Sequence, residues 1–296
     1  MQHPVVFCGA GPGDPDLITV KGQQSLAEAD VVIYAGSLVP RAVLKWAHPG
    51  ASLHNSAGMH LEEIVARMAA AYQAHQRVVR LHTGEPSLYG AVFEQMAELD
   101  RRAIPYRVIP GVTAAFAAAA AMGIEYTLPE ISQTLILTRM AGRTPVPQQE
   151  ALESLAAHQA SMAIYLSISL IDRVADVLSR TYGPQAPCAL AFRVSQPEEK
   201  IRVTRVEHLV ELVKQEDIDH QALIIVGKVL GVRPPELKHR SKLYDADFSH
   251  AFRRAAGGAD DLAAAGKKPA PRAGCNRESP SSTDDPLHPA KPEPTP

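Results

Sequence analysis

The sequence predicts an α/β protein, built as two α/β domains followed by a tail. Short apolar runs of strand length alternate with helix-period segments from residue 4 to about residue 122, and the alternation resumes after residue 133. In addition, three small-residue loops occur at residues 9–14, 82–90 and 110–115, each just after an apolar run. That is where open α/β sheets hold ligands.

Residues 4–8 (PVVFC) read as a strand, followed by a glycine turn, a helix over residues 19–29 and a strand over residues 31–34. In residues 60–75, Leu61, Ile64, Val65, Met68 and Tyr72 recur at helical spacing. VVRL (78–81) reads as a buried strand, residues 92–102 as a helix, 106–109 as a strand and 113–122 as an alanine-rich helix. Such alternation calls for a largely parallel sheet with helices on both faces. The first domain is thus expected over residues 1–123.

Residues 124–132 (IEYTLPEIS) fit neither period, and Pro129 interrupts any helix there. This stretch is the expected linker. Strands follow at 134–138, 162–166, 188–192, 201–204 and 222–226, with apolar helical faces marked by Leu170, Ile171, Val174, Val177 and Leu178 and by Val206, Leu209, Val210 and Val213. A second α/β domain with a more mixed sheet is expected over residues 133–254. Residues 255–296 turn to Ala, Gly, Pro, Lys, Ser and Asp. Ordering each residue costs roughly 1–2 kcal/mol of backbone entropy, and so little aliphatic surface does not offset it. A disordered tail is the expectation.

With 296 residues and 46% hydrophobic content the chain can bury two cores. A formal charge of -2 and a 5% aromatic share give no basic field for nucleic acid. Cys8, Cys188 and Cys275 lack the paired spacing of a zinc site or an even disulfide framework. No run approaches a membrane span and no signal-type segment is evident, so the reading is cytoplasmic, with no membrane or metal.

The first loop, GAGPGD, is not G-x-G-x-x-G, and no G-K-[ST] follows it. Pro12 and Pro15 lack the N–H donors of an anion cradle, while Asp14 and Asp16 put negative charge where a phosphate would sit. One reading is a tight strand-to-helix turn with Asp16 near an N-cap. The other joins it to HTGEPSLYG (82–90) and PGVTAA (110–115) in a ligand rim, where glycines allow close approach and Ser87 and Thr113 offer polar contacts.

GAGPGDPDLIT, RLHTGEPSLYG and IPGVTAAFAAAA, occurring in that order, resemble the tetrapyrrole methyltransferases, and the resemblance spans roughly residues 4–254. VIYAGSLV (32–39), SQTLILTRMAGRTPVP (132–147), AAHQASMAIYLSI (156–168) and SKLYDADFSHAFR (241–253) are similar to the branch that methylates precorrin-4, or cobalt-precorrin-4, at C11. The resemblance implies the tetrapyrrole methylase fold, with S-adenosylmethionine in a cleft between two α/β domains, and a homodimer. It implies cofactor contacts at Pro12, Gly84, Glu85, Pro86, Ser87, Tyr89, Thr113, Ala114, Leu166, Phe192, Ala222 and Leu223. Glu85 departs from the family's usual aspartate, which lengthens that side chain by one methylene.

For the implied chemistry, Asp14, His82 and Glu85 are the candidate catalytic groups. His82 reads first as a structural histidine donating to a backbone carbonyl, and Asp14 also reads as a helix cap. Arg80, Arg139 and Arg143 are candidates for the carboxylates of a macrocycle, since arginine grips carboxylate in a bidentate fork. Each also reads as a surface residue or a partner of the protein's own acids. A methyltransferase acting on another precursor carbon, on RNA or on diphthamide is the rival within the fold. A nicotinamide dehydrogenase would need its third glycine one place later and an acid ending the second strand, where this chain has VVIYAGS.

Overall fold

The computed structural model describes residues 2–236, 241–249 and 251–254. The expected tail, 255–296, lies outside the described residues. In chain order the first half contains β1 (Val5–Gly9), α1 (Val20–Ala27), β2 (Val31–Tyr34), β3 (Ser52–Asn55), α2 (Leu61–Gln73), β4 (Val78–His82), α3 (Val92–Arg101), β5 (Tyr106–Ile109) and α4 (Ala114–Met122). Its five strands form one sheet of order β3-β2-β4-β1-β5, parallel throughout. β1, β2 and β4 are buried at every residue, as strands with both faces covered must be. Phe7, Ile33, Met68 and Leu99 fill one face and Cys8, Leu26, Val32 and Leu81 the other.

Local chemistry sets the helix starts. The Thr19 hydroxyl accepts the Gly22 N–H at the head of α1, and His60 and Glu63 form a reciprocal capping box at the head of α2. α4 ends at Gly123, whose φ of 63° is the left-handed cap that glycine takes without strain.

The second half contains β6 (Leu135–Arg139), α5 (Leu152–Ala156), β7 (Ser161–Tyr165), α6 (Ile171–Thr181), β8 (Pro187–Phe192), β9 (Lys200–Arg205), α7 (Leu209–Gln215) and β10 (Ala222–Val226). Its sheet has the order β6-β7-β10-β8-β9. Only β6 and β7 pair parallel, the other neighbours antiparallel, so this sheet is mixed. Met162, Ile164 and Leu190 pack on Leu152, Leu178 and Leu209 to make one core. On the opposite face, Ala163, Ala189, Ala191 and Leu223 meet Ala115, Ala117, Ala118 and Ala119 of α4. The alanine richness of α4 therefore has a packing cause: small side chains let the helix approach the sheet closely.

Residues 124–132 are irregular but anchored. The buried Tyr126 donates its hydroxyl to the Ala115 carbonyl at 2.8 Å, and Ser161 Oγ donates to the Tyr126 carbonyl at 2.7 Å. Both sheets belong to one compact unit, Met1–Ser241. A second unit begins at Lys242, and its described residues include a 3-10 turn, Lys242–Tyr244, and a bond from Arg253 Nη2 to the Asp245 carbonyl. Among the described residues no helix is long and apolar enough to cross a membrane.

Candidate functional site

Adjacent strands β4, β1 and β5 end side by side, and each runs into one of the three small-residue loops. The loops touch backbone to backbone. A Cβ on Gly9 would sit 2.6 Å from Gly84 O and from Gly111 Cα, and one on Gly111 would sit 2.0 Å from Gly84 O. Gly11 and Gly84 exchange hydrogen bonds across the first two loops, 2.8 Å from Gly84 N to Gly11 O and 3.3 Å in return. The Glu85 carboxylate ties the second loop to the third. Its Oε1 accepts from Ser87 N (2.9 Å) and Ser87 Oγ (2.8 Å), and its Oε2 accepts from Gly111 N (2.8 Å).

The second half supplies the opposite wall. Ser195 Oγ accepts the Asp14 N–H at 2.9 Å, and Gln221 Nε2 donates to the Ser37 carbonyl at 2.9 Å. The Tyr165 hydroxyl shares a 2.7 Å bond with Thr113 Oγ1 and accepts the Ala115 N–H at 2.9 Å. Between these walls lies a cleft of about 330 Å³, with Leu38, Leu88, Leu166 and Leu223 among its apolar lining. The Tyr89 and Tyr165 rings, both at the cleft, lie 5.7 Å apart. Tyr89 (φ 57°), Leu166 (φ 51°), Arg193 (φ 43°) and Gln221 (φ 49°) all line it with left-handed backbones. Such conformations cost non-glycine residues of order 1–3 kcal/mol each and gather where a ligand site dictates the backbone.

Of the residues expected at a cofactor, Pro12, Gly84, Glu85, Tyr89, Thr113, Ala114, Leu166, Ala222 and Leu223 line this cleft. Pro86 and Ser87 instead shape the loop behind it: the Pro86 carbonyl is where a Cβ on Gly90 would fall, and Ser87 bonds Glu85. Phe192 does not itself line the cleft; it is partly buried against the core beneath α6 and α7 and carries two residues that do, the His220 ring and the Arg193 guanidinium.

The expected catalytic and substrate groups fare differently. Asp14 is a cap, its side chain accepting the Asp16 N–H at 2.9 Å, and it does not line the cleft. Glu85 has both carboxylate oxygens engaged in the loop tie. Arg80 is corrected: it is buried, with Nε on Gln95 Oε1 (2.9 Å) and Nη1 on the Ile33 carbonyl (3.3 Å), and so does not reach a substrate. Burial lowers its pKa to about 10. Arg139 donates to the carbonyls of Thr144 (2.9 Å) and Pro145 (2.7 Å), shaping the loop that carries the exposed Arg143.

His82 is buried beside the Phe7 ring, at a centroid distance of 6.0 Å, and among the described residues its Nε2 has no hydrogen-bond partner. Burial, and secondarily the Arg80 charge, lowers its pKa to about 3. It stays neutral at working pH and is no proton shuttle. Because the unfolded imidazole titrates near 6.5, the unfolded chain binds the extra proton first, and stability present above about pH 6.5 is lost as pH falls towards 3. The expected loss is on the order of a few kcal/mol. Across this window the wild-type urea midpoint should fall relative to that of His82→Leu as the pH drops, and parallel curves would refute it.

Sequence reasoning missed Tyr165, Ser195 and Gln221. Tyr165 ends an apolar strand and reads as core; the other two have left-handed backbones that no glycine advertises. The cleft fits an adenosyl sulfonium on three counts: apolar walls for a purine, tyrosine faces that attract a cation, and glycine loops without a phosphate-binding lysine.

Comparison with known proteins agrees with this geometry. Residues 4–210 match the family of Tetrapyrrole (Corrin/Porphyrin) Methylases. The chain is 48% identical over 251 residues to a cobalt-precorrin-4 C(11)-methyltransferase of Methanocaldococcus jannaschii, covering 84% of this chain and 96% of that protein. The crystal structure of a cobalt precorrin-4 methyltransferase described as a cobalamin biosynthetic enzyme superposes with a TM-score of 0.74 at 44% identity, over 76% of this chain and 95% of the other. A uroporphyrin-III C-methyl transferase from Thermus thermophilus, solved with S-adenosyl homocysteine, gives a TM-score of 0.66 at 29% identity, over 78% of this chain and all of the other, 100%. With its glycine loops, two-sheet architecture and these matches, the chain belongs to the tetrapyrrole methylase family.

Proposed function

We propose that this protein methylates precorrin-4, or its cobalt form, at C11 during assembly of the corrin ring of cobalamin, with S-adenosylmethionine as methyl donor. The observation that carries the reading is the joint construction of the cleft by three glycine loops of the first sheet and by Tyr165, Leu166 and Leu223 of the second. When bound, S-adenosylmethionine supplies a methyl carbon activated by a positive sulfur, and no metal is needed for its transfer.

The chain's own groups act by placement. Glu85 and the paired glycines fix the loops, and Tyr165 joins α4 to the second sheet, so that the donor methyl and a ring carbon meet in line. Such orientation is worth roughly 7–11 kcal/mol, against about 3–5 from a general base. Asp14 and Glu85 are occupied by structural bonds and His82 is buried and neutral, which favours orientation as the main contribution. Arg143, on the loop that Arg139 shapes, is proposed to meet peripheral carboxylates of the macrocycle. The two buried cysteines among the described residues, Cys8 and Cys188, are free thiols that suit a reducing cytoplasm, and by family likeness the working form is a homodimer.

Incubation with isotopically methyl-labelled S-adenosylmethionine and precorrin-4, with and without cobalt, followed by NMR assignment, tests the reading. Label at C11 is the expected result. Label at another carbon would overturn the C11 assignment, and no label in any precorrin would overturn the methyltransferase.

A further inference from the structure

Arg193 follows β8 and lines the cleft. Among the described residues that line the cleft it is the one arginine or lysine. Its position is deliberately built. The backbones of Arg193 and Gln221 both turn left-handed, at φ 43° and 49°, and Arg193 N donates to the Gln221 carbonyl at 3.1 Å. Arg193 Nε then bonds Gln221 Oε1 at 2.8 Å, while Nη2 lies 3.3 Å from His220 Nε2. The other nitrogen of the His220 ring is bonded to the Asp219 carboxylate, and Phe192 packs under the guanidinium at 5.2 Å.

These contacts orient the guanidinium without neutralising it. Gln221 is uncharged, and His220 contacts Arg193 through the ring nitrogen that does not face Asp219. Its ion-pair partner among the described residues, Glu198, stands 3.8 Å away and is 59% exposed, so it is a weak, well-screened partner. Of the acids lining the cleft, Glu85 is engaged by Ser87 and Gly111, and Asp219 by His220. A half-buried cation with its plane fixed and its charge underused calls for a carboxylate, which guanidinium matches in geometry.

We infer that Arg193 is a carboxylate-binding residue of this cleft. Two sources share that chemistry, the amino-acid end of the methyl donor and an acidic side chain of the macrocycle. The inference rests on the proposed function, because both ligands come from it.

The test uses the full chain and the variants R193Q and R193K. Calorimetry measures binding of S-adenosylhomocysteine and of 5′-methylthioadenosine, which keeps the adenosine and sulfur but lacks the carboxylate. Steady-state assays give KM and kcat for the precorrin. Loss of a charge-assisted contact should weaken the affected ligand about 10-fold or more. If the donor is the source, R193Q weakens S-adenosylhomocysteine and spares methylthioadenosine. If the macrocycle is the source, both nucleoside ligands are spared and the precorrin KM rises with little change in kcat. R193K, which keeps the charge but not the fork, should fall between and carries the test if R193Q fails to fold.

Affinities and KM all within about twofold of wild type would overturn the inference, as would equal weakening of both nucleosides, which marks a merely structural role. Failure of the wild type itself to bind S-adenosylhomocysteine is a separate result that defeats the cofactor reading.

Discussion

Gly111→Ala is expected to cost about 3 kcal/mol of stability and to abolish donor binding. A methyl carbon there would fall 2.0 Å from the Gly84 carbonyl oxygen and 2.9 Å from Gly9 Cα. Those are backbone atoms in two neighbouring loops, so no side-chain rotation relieves the clash and the loops must separate. Separation also pulls the Gly111 N–H from Glu85, so the damage reaches all three loops that face the ligand. Urea unfolding and calorimetry with S-adenosylhomocysteine check both effects. A variant with the wild-type midpoint and affinity would show that the loops do not pack as described.

Glu85→Gln is expected to weaken S-adenosylhomocysteine about 30- to 100-fold, or roughly 2–3 kcal/mol, while leaving the pH dependence of kcat unchanged. The carboxylate presents acceptors on both oxygens, to Ser87 on one side and Gly111 on the other. An amide has one oxygen, so its NH₂ must face an N–H donor on one side. That swap breaks the tie and leaves donor against donor. Glu85→Asp keeps both acceptors on a shorter arm and should fall between. Calorimetry and a pH–rate profile decide the matter: unchanged affinity with a shifted profile would make Glu85 a base and refute the structural tie.

Much of the first sheet was legible from the residues, because strands buried on both faces read as unbroken apolar runs. VVFCG and VVIY are of this kind. β3 was not legible: SLHN is largely exposed at the sheet edge and has neither an apolar run nor a clean alternation. α5, at five residues, is too short to show a period. At the site, glycine and small residues advertised the three loops, whereas the second wall left little trace. Leu166 and Arg193 owe their placement to positive φ angles that their residue types do not favour, and Tyr165 acts through a hydroxyl at the end of an apolar strand. Arg80 shows the opposite case: as a strand residue just ahead of a loop it reads as a ligand contact, but its side chain is buried on Gln95 and the Ile33 carbonyl.

The bond from the Asp14 amide to Ser195 joins positions 181 apart in the chain. During synthesis at roughly 5–20 residues per second, the serine is added about 9 to 36 s after the aspartate. A nascent chain that has only its first sheet therefore offers the donor half a grip. The ribosome has to deliver nearly the whole catalytic body before the first turn is latched, and a message truncated before Ser195 yields a polypeptide with glycine loops but no closed pocket.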